Sequence, residues 1–460
     1  MTIQLPPSGD TDALTEAIKT ASATHQPLVL LPGAHLTKPG YNLTIPIGPN
    51  GLDMSGTSDT LIQRPDHSVG RNPLQRTDDN YGLFLVPARP LIPEPHEMSW
   101  QPHQPTTGPP IEFIIMTSGK VTIRGLTLDC NVGNQGLEGL PKKAVEHSAM
   151  LAIAGTQYDF SVPSGPRRIV FIGFEEVQLE NLTLVRGGFA DDIMFPPAYF
   201  RPNIARVSLA HLVSEQRINT RRASVSFTGL SQQVAIRDCK LDSLNCEEDA
   251  IWSGYPGPAG PFERSSWSVD QVQTRAMGFA AKGDVLNLTA SGLNVSESFS
   301  INEASGTISD SHLAVATENR RLIRLRDFHF GNCTWILKPD ATNHVSGIVP
   351  TPAYNLPFSA TFDNNSFVVD GSFESGQIIT TGQHSPPKLH DNMITARFTN
   401  CKFQPWLGTT ANSNAHVAVL AERGDYTFDK ADLQGLNLKQ AIIAPQAPHD
   451  LGVAIEYLIP

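Results

Sequence analysis

Four short runs with a period of two dominate the middle of the chain: residues 177–184 (VQLENLTL), 207–214 (VSLAHLVS), 234–241 (VAIRDCKL) and 267–274 (WSVDQVQT). Apolar and polar side chains alternate in each, which predicts strands with one buried face. After a turn, each is followed by a second apolar run: 193–195 (IMF), 225–227 (VSF), 250–252 (AIW) and 285–288 (VLNL). The starts lie 30, 27 and 33 residues apart, as expected of a repeated coil of three short strands. Counting 15 residues from each start reaches a charge every time: Asp192, Arg222, Asp249 and Lys282. Equivalent positions of stacked coils lie about 4.8 Å apart, so these four residues predict a column of alternating charge.

Weaker signals extend the pattern. Residues 12–23 have helical spacing (Leu14, Ile18, Ala21), with Asp10 or Thr11 available as a cap. A short strand at 28–31 (LVLL) is next, closed by Pro32-Gly33. Further runs at 121–131, 307–313, 322–330, 358–362 and 393–398 read as coil strands, and the tail 411–460 adds segments at 416–420 and 453–458. Residues 53–110 and 132–168, rich in turn formers, read as loop insertions, the second carrying Lys142, Lys143, Glu146 and His147. No composition shift marks a boundary, so 1–460 is expected to be one domain, with 411–460 capping the far end or making an oligomer contact.

The opening, GDTDALTEAIKTASATHQPLVLLPGAHLT (residues 9–37), resembles the amino-terminal cap of right-handed parallel β-helix proteins of the pectate-lyase-like superfamily. A helix laid over an open coil end would cover exposed strand edges and core. A second phrase is similar to one common in carbohydrate-active β-helix proteins. It combines an Arg-rich turn (219–222), a Ser-bearing strand (223–227), a V-x-I-x-[DN]-C strand (234–239) and an acidic turn (247–249). The resemblance implies an all-β, right-handed parallel β-helix with an N-terminal capping helix, acting on carbohydrate.

Composition narrows the partners. Charged residues make up 17% and hydrophobic residues 40%, with 36 Gly and 36 Pro, a turn-rich β composition. A net charge of −11 argues against nucleic acid as the partner, since phosphate binding wants a basic surface. No apolar run is long enough to span a membrane. No signal peptide is visible, which points to a cytoplasmic protein or a leaderless form of a secreted one. Five cysteines without CxxC spacing predict free buried thiols and no zinc site.

The column carries the candidate chemistry. Paired carboxylates are the machinery of glycoside hydrolysis. Asp249 or Glu248 is the expected general acid, Asp192 or Asp191 the base that activates water, and Arg221 and Arg222 the groups that hold a carboxylate or hydroxyl. Lys282, Glu247 and Glu303 extend this set, and Trp252 and Tyr255 offer a sugar-stacking platform, as do Phe195, Tyr199 and Phe200. No cofactor is needed. Stacked opposite charges are equally a plain way to satisfy a turn column.

Two alternatives stay open. The resemblance also covers polysaccharide lyases, in which Lys282, Arg221 or Arg222 would take a proton while the acidic residues hold Ca²⁺, and enzymes that transfer glycosyl groups. A non-catalytic, tailspike-like carbohydrate-binding protein, expected as a homotrimer, is the third class. The polygalacturonase set is reduced here to Asp191-Asp192, and the Asp-Pro-His motif of alginate epimerases is absent.

Overall fold

The computed structural model of the protein describes residues 1–38, 44–67, 80–89, 111–136, 148–159, 167–188, 191–196, 204–217, 223–228, 231–246, 265–280, 286–302, 304–315, 321–323, 325–339, 344–351, 357–370, 375–380, 394–405, 416–420, 425–430 and 442–443. The chain is an all-β, right-handed parallel β-helix with a capping helix near its amino terminus. The right hand is the one parallel crossovers take in about 98% of cases. The fold divides into two compact units, Met1–Ser265 and Ser266–Pro460.

In the first unit each coil contributes a strand to three faces. The first face stacks Leu52–Ser55, Lys120–Arg124, the end of Arg167–Glu180, Ile204–Ala210 and the start of Ser231–Cys246. The second stacks Gly33–Leu36, Thr60–Gln63, Thr127–Asp129, Thr183–Val185 and Val213–Ser214. The third stacks Thr44–Ile47, Asn80–Pro87, Ser148–Ile153, Asp191–Phe195, Val225–Phe227 and the end of Ser231–Cys246. Alternation aims Val177, Val207 and Val234 inward at one level and Leu179, Leu209 and Ile236 at the next, all buried. Each such side chain contributes about 1.5–3 kcal/mol by leaving water. Thr156–Asp159 pairs antiparallel with Arg167–Glu180, whose outer part also pairs with Ile111–Thr117, adding a small accessory sheet.

The second unit repeats the plan. Leu286–Ser291, Ala304–Ser309, Arg326–Gly331, Phe358–Asp363, Ile394–Thr399 and Asp425–Asp429 form its first face. The start of Asn294–Asn302, then His312–Val315, Thr334–Leu337, Ser366–Val369 and Lys402–Pro405 form the second. The end of Asn294–Asn302, then Arg321–Ile323, His344–Thr351, Ser375–Thr380, His416–Leu420 and Ile442–Ile443 form the third. Its interior holds two aromatic files: Phe330, Phe362 and Phe398 stack at 4.9 and 4.6 Å, and Trp335, Phe367 and Phe403 at 6.0 and 4.9 Å.

The alternating runs turn a corner, where the sequence predicts single strands. Asn181, His211, Asp238 and Gln271 sit inside them with φ near +50°, as do Asp310, Asn332, Asn364, Asn400 and Lys430 between later strands. A left-handed residue bends the chain from the first face to the second in one step, and Asn and Asp tolerate it best. Backbone bonds run from coil to coil at this corner, as from Asn332 N–H to Asp363 O and from Asn364 N–H to Thr399 O. In the second unit the side chains join too, Asn364 to Asn332 at 2.7 Å and Asn332 to Asp310 at 3.1 Å.

The next residue turns inward, and this explains three of the cysteines. The thiols of Cys239, Cys333 and Cys401 donate to the carbonyls two residues earlier at 3.1, 3.3 and 3.5 Å. Burial pushes them up to about 11, 12 and 12 respectively, which makes them inert. Cys130 is likewise free and buried.

The capping helix spans Ala13–Thr24 and buries Leu14, Ile18, Ala21 and Ser22. Its cap position falls on Asp12, whose N–H donates to Asp10 Oδ1 at 2.9 Å. Residues 53–110, read from sequence as an insertion, contain most of a coil: Leu52–Ser55, Thr60–Gln63 and Asn80–Pro87. Residues 132–168 likewise contain the third-face strand Ser148–Ile153. Three to eight residues of strand between Pro- and Gly-rich stretches leave little periodicity to read.

Candidate functional site

Asp191 and Asp192 open the third-face strand Asp191–Phe195 at the second corner of the first unit, where the chain leaves the second face. Both are buried. The Asp192 carboxylate sits in a cage. Cys130 Sγ lies 3.5 Å from Oδ1, Arg217 Nε lies 3.3 Å from Oδ2, and the Gly188 N–H donates to it. Both partners of the ion pair are essentially inaccessible, at 0% and 1% exposure. Burial raises the Asp192 carboxyl to about 6, against the opposing pull of Arg217 and Cys130, while Asp242 adds to the rise. Gly187 is dictated by this packing, since a Cβ there would fall 2.3 Å from Asp192 Oδ1.

The cage belongs to a larger buried polar cluster. Arg64, one coil below Cys130, is lowered to about 10 by burial. Burial also holds the Cys130 thiol well above its ordinary range, and the Asp192 charge adds to this. Beside it Asp129 pairs with Arg186, whose Nε lies 2.8 Å from Oδ1. Asn131 donates to Arg64 O at 2.9 Å and Asp66 Oδ1 at 2.8 Å, and Gln135 donates to Pro65 O at 2.8 Å.

Asp191 has a different partner. Its Oδ1 accepts the Ala223 N–H at 3.0 Å, and the Asp192 N–H donates to Ala223 O at 3.3 Å. Asp192 thus holds Arg217, and Asp191 holds the backbone of Ala223.

The predicted column is displaced by the observed register. Ile193 pairs with Val225 and Val225 with Leu244, so Asp192 is level with Ser224 and Ser243. Counted from Val177, Val207 and Val234, that level lies 15, 17 and 9 residues on. The equal offsets fail because corners differ in length: Ser231–Cys246 passes from the first face to the third with no insertion. The partner of Val225–Phe227 is thus 244–246 and not 250–252, and residues 286–288 lie on a first face. The other expected site residues, Arg221, Arg222, Glu247, Glu248, Asp249, Trp252, Tyr255, Lys282 and Glu303, lie outside the described residues, as do Tyr199, Phe200, Lys142, Lys143, Glu146 and His147. Phe195 is a core residue, stacked on Phe227 at 4.4 Å.

The aspartates do not fit a calcium site as expected for a lyase. A guanidinium at 3.3 Å and a thiol occupy the two oxygens of Asp192, and a backbone N–H takes Asp191 Oδ1. Among the described residues, no group of three or more His, Cys, Asp or Glu is placed to hold a metal ion. Arg217 is a residue that the sequence reading missed, and nothing in its polar context SEQRIN marks it as buried; Arg64, read from sequence as part of a loop that could wall a binding cleft, is instead buried in the coil. No helix among the described residues is long and apolar enough to cross a membrane.

On its outer side the third face presents a row at one register: Phe84, Ala152, Met194, Ser226 and Asn245. Tyr81 packs on Phe84 at 4.7 Å, and its hydroxyl lies 3.9 Å from Met194 Sδ. The row passes from apolar to polar along the axis.

No family model matches the chain, and no curated protein matches it. Among solved structures it is similar to the Streptococcus pneumoniae surface protein and adhesin PfbA, at 11% identity and a TM-score of 0.38, over 94% of this chain and 100% of that one. It is also similar to Escherichia coli YbhC, at 10% identity and a TM-score of 0.20, over 87% of this chain and 72% of that one.

Proposed function

We propose that this chain is a carbohydrate-active enzyme of the pectate-lyase-like group, hydrolysing glycosidic bonds of a polysaccharide or oligosaccharide with paired carboxylates at the third face of the first unit. What supports this reading is the second corner, where a buried acidic pair meets the Arg217 side chain and the Ala223 backbone. Asp192 has both oxygens engaged and is buried, so the acid that protonates the leaving group is assigned to Glu248 or Asp249, which come after the strand Ser231–Cys246 in sequence. Arg221 and Arg222 bind substrate oxygens, Trp252 and Tyr255 stack on a sugar ring, and Glu247 completes the binding set.

The same arginines carry a second reading. In it they neutralise a uronate and take its proton, the work of a lyase.

A panel of neutral and uronic poly- and oligosaccharides, incubated with wild type and Asp249→Asn, tests both. Products one water heavier, lost in the variant, support hydrolysis. Unsaturated, ultraviolet-absorbing products move the assignment to Arg221 or Arg222. Binding without turnover makes the chain a binding protein.

A further inference from the structure

The second corner of the first unit buries more negative than positive charge. Arg64 follows the strand Thr60–Gln63, Asp191 and Asp192 open theirs, Arg217 follows Val213–Ser214, and Asp242 lies in Ser231–Cys246; all are buried. Among the described residues, two guanidiniums thus stand against three carboxylates, and a single added proton makes the set neutral. An unbalanced charge is costly where water is excluded. The groups that face Asp192 are Arg217 at 3.3 Å, the Cys130 thiol at 3.5 Å and Asp242, with Asp191 beside it and Arg64 acting on Cys130. Asp191 Oδ1 already accepts the Ala223 N–H, and Asp242 keeps 7% exposure. Asp192 is therefore the carboxyl that takes the proton: burial raises it to about 6 and Asp242 adds to the rise, against Arg217 and Cys130.

The chain enters this corner through Gly187-Gly188. Gly188 has a φ of +142°, which glycine alone adopts readily, and its N–H donates to Asp192. We propose that the cluster is a proton-operated latch: with Asp192 protonated the corner stays shut, and with Asp192 ionised it opens locally at the Gly187-Gly188 joint and bares Cys130. The latch is a property of the free protein and does not depend on the carbohydrate reading. Its sign follows from linkage. In an open corner the Asp192 carboxyl meets water and returns to its ordinary 3.8, so the shut state holds the proton more tightly. Acid therefore favours the shut corner, and the advantage is lost as pH rises from about 4 through 6. The ratio of open to shut should grow about tenfold between pH 5 and 7.

Cys130 reports the latch, because its buried thiol touches Asp192 and reacts only when the corner opens. The full chain is treated with a pyridyl disulfide reagent across this pH range, and the labelling of each cysteine is followed by peptide mass. Each rate is divided by that of the same cysteine in the unfolded chain at the same pH, which removes the chemistry of the thiol itself. Normalised labelling of Cys130 should rise about tenfold from pH 5 to 7, while Cys239, in the same unit, and Cys333 and Cys401, in the other, stay flat. Asp192→Asn should abolish the rise. Asp242→Asn, which removes the neighbouring charge and leaves Asp192 in place, should move its midpoint to lower pH. A flat Cys130 profile in the folded wild type overturns the latch. So does a rise shared with Cys239, which would mark unfolding of the whole unit, or a midpoint that Asp242→Asn leaves where it was.

Discussion

The two units share one coil plan and fill it differently. Among the described residues, the buried polar set of the first unit includes Arg64, Asp129, Asp191, Asp192, Arg217 and Asp242, whereas that of the second is Thr274, Ser311 and Asn365, with no charge. Where the first unit packs an ion pair and a thiol, the second packs files of phenylalanine and tryptophan. The fold therefore does not need the charges. A buried pair contributes little or nothing beyond an apolar replacement, while either partner left alone is costly. The charges in the first unit are best explained by what they hold.

Breaking each interior at its centre gives the largest effects. Phe362→Ala removes a ring stacked on both neighbours and should cost about 3–5 kcal/mol in denaturant unfolding. Arg217→Met, leaving Asp192 alone, should cost about 3–5 kcal/mol, and adding Asp192→Leu should restore most of it. The cysteines report which unit has opened: the buried Cys130 and Cys239 should react with a thiol reagent when the first unit unfolds, Cys333 and Cys401 when the second does. Recovery in the double variant of less than half the loss would make the pair a net source of stability and erase the contrast between the two interiors.

Titration sharpens the difference. The Asp192 carboxyl stands at about 6, above its ordinary 3.8, so the folded state holds a proton that the unfolded chain has released. Its contribution is most favourable below pH 4 and is lost as pH rises through 6, a cost of about 3 kcal/mol. Between pH 4 and 7 the wild type should lose stability relative to Asp192→Asn, read as the difference in their unfolding midpoints. Parallel pH profiles would contradict the buried-charge account. Smallest is the corner ladder: Asn364→Ala should cost about 1–2 kcal/mol, because its left-handed φ disfavours alanine and its side-chain bond to Asn332 is lost.

The fold was legible because its signals are local. Val177, Val207 and Val234 alternate with polar neighbours, and the register joins those three residues at one level. The corners were partly legible as well, since V-x-I-x-D-C at 234–239 proves to be strand, left-handed Asp238 and inward Cys239. The site was not legible to the same depth. Counting from one strand assumes corners of equal length, and Ser231–Cys246 omits one, which moves the level of Asp192 to Ser243. Arg217 and Cys130 come to Asp192 from different coils, across separations that no local pattern encodes.

The central proposal is that the first unit carries the function. Hydrogen exchange of the full chain, with and without a uronic and a neutral oligosaccharide, tests it most directly. Protection should appear in the first unit, around the strands Asp191–Phe195 and Val225–Phe227 and the segment between Arg217 and Ala223, and should weaken in Asp192→Leu/Arg217→Met. Protection confined to the second unit, with that corner unchanged, would contradict the account.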